Sequence, residues 1–272
     1  MGLHGEMLFM QKNPTVDISK IRRIGGSFSH AYSSTLWKYA KSLEYVKSAK
    51  ESITIDHFDS ADYAWLHESK SIIPHVYEYA KNNFLDLKKK YKFIFTHDQQ
   101  LISLDPDLFK FVPACGYWIE NPKIHDKSKL LSFITSNKTM CTGHKYRLQW
   151  KDRLEGKCDI FGRGIKEIEK KEYGLADYYF SIAIENGKYD TYFTEKILDC
   201  FATGAIPIYY GTEKICDYFN SNGIIMLTDS FSIDQISPEL YYSKIDAVQE
   251  NFEKVLSYYT VEDWMIKNHL LS

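Results

Sequence analysis

The run Phe180-Ser181-Ile182-Ala183-Ile184 is apolar on both alternating faces and turns polar at Glu185-Asn186, as a doubly buried strand does at its end. A polar loop follows. Thr194 then stands where a helix N-cap belongs, its hydroxyl placed to accept a backbone N–H. Glu195 and Lys196 open the helix, Gly204 ends it, and Ala205-Ile206-Pro207-Ile208-Tyr209-Tyr210 reads as the next buried strand. Strand, crossover helix and strand in this order make a parallel pair, whose sheet needs helices over its faces. The chain is therefore predicted to be α/β.

The same alternation extends over the chain. Residues 33–49 have helical apolar spacing, 52–56 and 63–66 read as strands, and 75–87 as a helix followed by the solvated run Lys88-Lys89-Lys90. Residues 93–96 and 111–113 are two further strands. Polarity breaks the pattern at Glu120-Asn121-Pro122-Lys123, which predicts a linker, with one domain over 1–122 and a second over 123–272. Beyond it, strands are predicted at 130–135, 158–162, 178–184, 205–210 and 224–227, and helices at 145–154, 194–202 and 245–258. Two such halves imply two Rossmann-like domains facing across a cleft, with ligands beyond the carboxyl ends of the strands.

Composition narrows the classes of function. At 44% hydrophobic and 26% charged residues the chain is ordinary globular material. A net charge of -2, with neither half basic, argues against a nucleic-acid partner. No apolar run approaches the roughly 20 residues of a membrane span, and the first residues do not read as a signal peptide. Five widely spaced cysteines without a CxxC fit reduced thiols, so a cytoplasmic protein is expected. The nine histidines lack metal-ligand spacing, and Asp105-Pro106-Asp107 reads as a turn, so no metal site is expected.

The start of the helix after Thr194 offers free N–H groups and the positive end of a dipole, which favour an anion such as a diphosphate. Lys196 adds a full charge there, and Glu195 is an acceptor for sugar or ribose hydroxyls. Read from the residues alone, a solvated capped helix explains the same junction.

The longer string resembles the donor-binding motif of glycosyltransferase family 10, the α1,3-fucosyltransferases. The matching segments are Phe180 to Asn186, Asp190-Thr191-Tyr192-Phe193-Thr194-Glu195-Lys196, and Gly204-Ala205-Ile206-Pro207-Ile208-Tyr209-Tyr210-Gly211, with Thr191 as one extra residue. Lys129 to Asn137 resembles the family's strand ending in Ser-Asn, followed by Arg147 and by Asp159-Ile160-Phe161-Gly162-Arg163. In the first half, Glu68-Ser69 with Pro74, and Pro113-Ala114-Cys115-Gly116-Tyr117, are similar to two family turns.

The resemblance implies a glycosyltransferase B fold and inverting transfer of fucose from GDP-fucose to a hydroxyl of a glycan acceptor. It implies Glu68 as catalytic base. Arg147 and Lys196 would hold the diphosphate, Glu195 the ribose hydroxyls, and Glu185 and Asn186 the sugar and diphosphate. Tyr192 would line the nucleoside pocket, Thr194 would cap the helix at the donor site, and Ser136 and Asn137 would end a strand at the same cleft. No obligatory cofactor is expected. Asp62, His67, the pair His97-Asp98 and Glu120 are rival bases, with His67 turned away from Glu68 if the segment stays extended. For Arg147, spacing alone is equally met by a surface salt bridge. A relative using another sugar nucleotide, and a non-catalytic binding protein that keeps the donor motif, are the alternative functions.

Overall fold

The computed structural model describes residues 22–24, 51–258 and 260–270. The expected helix at 33–49 lies outside them.

The first half holds a parallel sheet of β1 (Arg22–Ile24), β2 (Ser52–Ile55), β3 (Tyr63–Leu66), β4 (Phe93–Thr96) and β5 (Phe109–Phe111), in that spatial order. Between β3 and β4 the crossover is made by α1 (Pro74–Asn82) and α2 (Phe84–Lys90), and between β4 and β5 by α3 (Gln99–Leu104). The single helix expected over 75–87 is thus two. Asn83 leaves helical geometry at φ -120° and ψ 19°, and Lys88 to Lys90 form the last turn of α2, where cations suit the carbonyl end. The strand expected at 111–113 sits two residues earlier, because Pro113 has no N–H to give a ladder.

The second half holds β6 (Lys129–Ile134), β7 (Asp159–Phe161), β8 (Tyr178–Ile184), β9 (Ile206–Tyr210) and β10 (Ile225–Met226), all parallel, in the order β10-β9-β8-β6-β7. Helix α4 (Thr142–Leu154) follows β6, and α5 (Glu195–Thr203) follows β8. Helices α6 (Pro238–Tyr242) and α7 (Ile245–Val255) complete this half. Central β8 is buried along nearly its whole length, which explains its unbroken apolar run. The hydroxyl of its buried Ser181 accepts an O–H bond from Ser132 of β6 at 3.0 Å. Gly204 ends α5 at φ 73°, the left-handed conformation that a glycine adopts without strain.

Helix α8 (Val261–Met265) returns to the first half. Val261, Met265 and Ile266 pack into its core with Ile53, Trp65, Phe95 and Val112. Among the described residues no helix is long and apolar enough to cross a membrane.

The order of the second sheet places the donor motif. The chain leaves β6 toward β7 on one side and leaves β8 toward β9 on the other, so the connections diverge at the carboxyl ends of β6 and β8. Crevices form at such points in open parallel sheets. Here the crevice faces the carboxyl ends of the first sheet.

Candidate active site

One cleft is lined from both halves. The first half contributes His67, Glu68, Ala114, Cys115 and Trp118; the second contributes Ser136, Lys138, His144, Arg147, Asn186, Tyr192, Thr194, Glu195 and Lys196.

Arg147 is the centre of its cationic side. It is buried on α4 and is not part of a surface salt bridge. Nε donates to the Ile184 carbonyl at 2.8 Å, and Nη2 to Asn186 Oδ1 at 2.8 Å. Both acceptors are neutral, and no carboxylate of the described residues lies within ion-pair distance of it. Burial lowers its pKa against the opposing pull of Glu185 and Glu195, yet a guanidinium keeps its charge at neutral pH. The approach of α4 to the end of β8 depends on Gly143, whose N–H donates to the Asn186 carbonyl at 3.1 Å. A Cβ there would stand 2.0 Å from the Glu185 carbonyl oxygen.

Lys196 faces the same cleft from the first turn of α5. Its Nζ donates to Thr194 Oγ1 at 3.0 Å and Glu195 Oε1 at 3.2 Å, and lies 3.6 Å from Glu185 Oε2. Burial opposes ionisation of Glu195, but Lys196 and Lys171 overcome it and bring that carboxyl down to about 2. Lys171 lies 3.7 Å from Glu195 and 2.6 Å from the buried Asp199 one turn further along α5. Asp199 also accepts the Trp118 backbone N–H at 2.5 Å, which ties α5 to the segment joining the two sheets.

Several expected positions differ in detail. Glu185 does not face the cleft. It is fully buried, accepting Thr194 N–H at 2.8 Å and Thr194 O–H at 2.7 Å, and burial raises its pKa. It anchors the cap residue, since a buried carboxylate must spend its lone pairs on nearby donors. Thr194 in turn accepts the Lys196 N–H at 3.5 Å. Ser136 lines the cleft, but Asn137 turns away and donates to the Gly164 carbonyl at 3.1 Å. Tyr192 edges the cleft while most of its ring is buried, 5.0 Å from the His97 ring of the first half. It therefore packs across the contact between halves instead of standing open to a nucleoside. Asp190 is on the surface, paired with Lys214 at 2.9 Å.

The extra residue, Thr191, has a use: its hydroxyl donates to the His97 carbonyl. With Tyr189, which shares a 2.5 Å hydrogen bond with Ser71, it docks the loop before α5 on the first half.

Glu68 lines the cleft just beyond β3, and the rival bases separate from it. Asp62 sits at the start of β3 with Ser52 and Lys92. Glu120 pairs with Lys170 at 3.0 Å. His97 is buried, its pKa pushed down to about 4, and it contacts Tyr77 Oη at 3.2 Å. Asp98 caps α3 and pairs with Lys70 at 2.8 Å. His67 does line the cleft beside Glu68, because the strand ends at Leu66 and its alternation ends with it. Asp105 accepts Lys88 and the N–H groups of Asp107 and Leu108, which makes the D-x-D string a turn. No group of three or more potential metal ligands occurs among the described residues.

Lys138 and His144 carry no motif in the sequence, yet both line the cleft. His144 Nδ1 accepts the Met140 N–H at 3.1 Å, which leaves the ring proton on Nε2. Burial, with Arg147, Lys138 and Lys196 nearby, pushes its pKa down to about 4. At neutral pH it is an uncharged donor. Three cations and a neutral imidazole against Glu68 and Glu195 suit a polyanionic ligand carrying hydroxyls.

A family signature described as "Glycosyltransferase family 10 (fucosyltransferase) C-term" matches residues 124–269. Bos taurus "GDP-fucose protein O-fucosyltransferase 3" is 32% identical over 96 residues, which is 35% of this chain and 19% of that protein. The Helicobacter pylori alpha-(1,3)-fucosyltransferase is 29% identical over 75 residues, 28% of this chain and 16% of its own length. The matched stretches thus span less than a fifth of either relative. A crystal structure of an alpha1,3-fucosyltransferase aligns over 76% of this chain and 75% of that one, at 17% identity and a TM-score of 0.49.

Proposed function

We propose that this chain, which belongs to glycosyltransferase family 10, transfers fucose from GDP-fucose to a hydroxyl of a glycan acceptor with inversion at the anomeric carbon. Its two Rossmann-like halves have the glycosyltransferase B arrangement. The observation that carries the reading is Arg147: a buried guanidinium bonded only to neutral acceptors, sharing a cleft with Lys196 at the start of α5. A buried charge with no carboxylate paired directly to it is costly, and an anionic ligand supplies that direct partner. The names of two relatives, one of them specifying GDP-fucose, support that donor.

In this reading the diphosphate lies against Arg147, Lys196 and the N–H groups at the start of α5. Negative charge grows on it as the glycosidic bond breaks, so donors already in place stabilise the transition state more than the ground state. His144 Nε2–H adds an uncharged donor, and Glu195, held ionised by Lys196 and Lys171, accepts hydroxyls of the donor. Glu68 enters from the opposite half and takes the acceptor's proton as its oxygen attacks. Transfer across the cleft by one displacement, with base and leaving group on opposite sides, gives inversion.

The leaving group's charge is met by side chains and backbone, so no metal is required. A panel of GDP- and UDP-sugars tests donor and metal together, with GDP or UDP release measured in excess chelator against a set of oligosaccharides. GDP-fucose is expected to turn over at least tenfold faster than the other donors, undiminished by chelator. Turnover of another donor in preference would assign a different sugar. GDP-fucose binding without turnover on any acceptor would favour the non-catalytic alternative.

A further inference from the structure

We infer that Asp56 is the positioning residue of the loop that carries Glu68, an inference that rests on Glu68 being the base. Asp56 follows the last residue of β2, at the carboxyl edge of the first sheet. Its backbone N–H extends the ladder by one bond, to the Trp65 carbonyl at 2.9 Å. There the backbone takes φ 60°, and among the described residues no other non-glycine has a positive φ. A side chain in the left-handed region is uncommon and strained, and such residues gather where the chain must hold a set geometry.

The strained turn delivers a carboxylate to the neighbouring strand end. Asp56 Oδ1 accepts two consecutive N–H groups, His67 at 2.7 Å and Glu68 at 3.0 Å. Both residues lie beyond the end of β3, and one oxygen holds their two N–H groups together. The Glu68 carbonyl is gripped from the other side by Tyr77 O–H at 2.7 Å. Both backbone polar groups of Glu68 are therefore fixed by side chains, and the residue is aimed at the cleft it lines. Capping of a strand end is the structural content of this contact. Its functional content is that the capped residue is the one facing Arg147 and Lys196, where a displacement of about 1 Å can cost on the order of 10²-fold in rate.

Two substitutions test this. Glycine adopts φ 60° freely, so Asp56→Gly removes the carboxylate without asking the backbone to refold. Asparagine tolerates the same φ and keeps an acceptor oxygen, so Asp56→Asn is the rescue. With GDP release from GDP-fucose as the readout, Asp56→Gly is expected to lower kcat by about 10- to 100-fold. KM for GDP-fucose and the thermal shift produced by GDP should stay near wild type. Asp56→Asn should recover most of the rate. In a Glu68→Gln background Asp56→Gly should cost nothing further, because its effect passes through Glu68. Wild-type kcat in Asp56→Gly would overturn the inference, as would a loss confined to GDP binding, an equal loss in Asp56→Asn, or full additivity with Glu68→Gln. Full turnover by Glu68→Gln itself would overturn the base assignment instead, so the two failures are told apart.

Discussion

Glu68→Gln is expected to lower the rate of fucosyl transfer by about 10²- to 10⁴-fold, the range a positioned general base contributes. The substitution keeps the shape of the side chain and both backbone anchors, the Asp56 carboxylate and the Tyr77 hydroxyl. It removes only the ability to accept a proton. GDP affinity should be unchanged, since the cations of the donor side lie in the other half of the molecule. The measurement is steady-state transfer alongside GDP binding by calorimetry. Retained turnover would remove Glu68 from this role and turn attention to His67, which lines the same cleft. Loss of both turnover and GDP binding would mean that Glu68 supports the donor pocket instead.

Arg147 is the second residue whose loss should be severe. Arg147→Lys keeps the charge but loses the planar fork that bonds Ile184 and Asn186 from a side chain lining the cleft. Removing one pre-organised donor to a developing oxyanion costs about 10²–10³ in rate, so kcat/KM for GDP-fucose should fall by that factor. Arg147→Met should fall further and lower Tm more than Arg147→Lys, because methionine has no donor for the Ile184 carbonyl or Asn186 while an ammonium can still bond one of them. An unsatisfied buried group costs about 1–3 kcal/mol. Arg147→Lys should therefore separate from Arg147→Met in stability while both are deficient in GDP binding. Wild-type GDP affinity in the lysine variant would show that the guanidinium serves packing alone.

The donor half was readable because its signals are local. A two-faced apolar run, a threonine cap and a glycine stop lie within one βαβ unit, and β8, α5 and β9 follow them nearly residue for residue. What a linear reading cannot supply is the direction of polar residues at strand ends. Glu185 and Asn186 are adjacent and equally polar, yet one is sealed under Thr194 and the other lines the cleft. The outcome depends on α4 packing through Gly143, far away in sequence. The same holds for Lys138 and His144, which lie in a segment without periodicity, and for Thr191, whose use appears only when His97 of the other half is in place. In the first half the strands were legible, but the break at Asn83 was not, because nothing in the apolar spacing marks it. Topology narrows the possible bases without choosing among them: Asp62, Glu120 and the pair His97-Asp98 are engaged away from the cleft, while Glu68 and His67 both line it.

A crystal structure with bound GDP-fucose tests the central claim most directly. Diphosphate oxygens should lie within hydrogen-bonding distance of both the Arg147 guanidinium and Lys196 Nζ, with the fucose anomeric carbon turned toward Glu68. A nucleotide bound at another surface, or a diphosphate that touches neither cation, would contradict it.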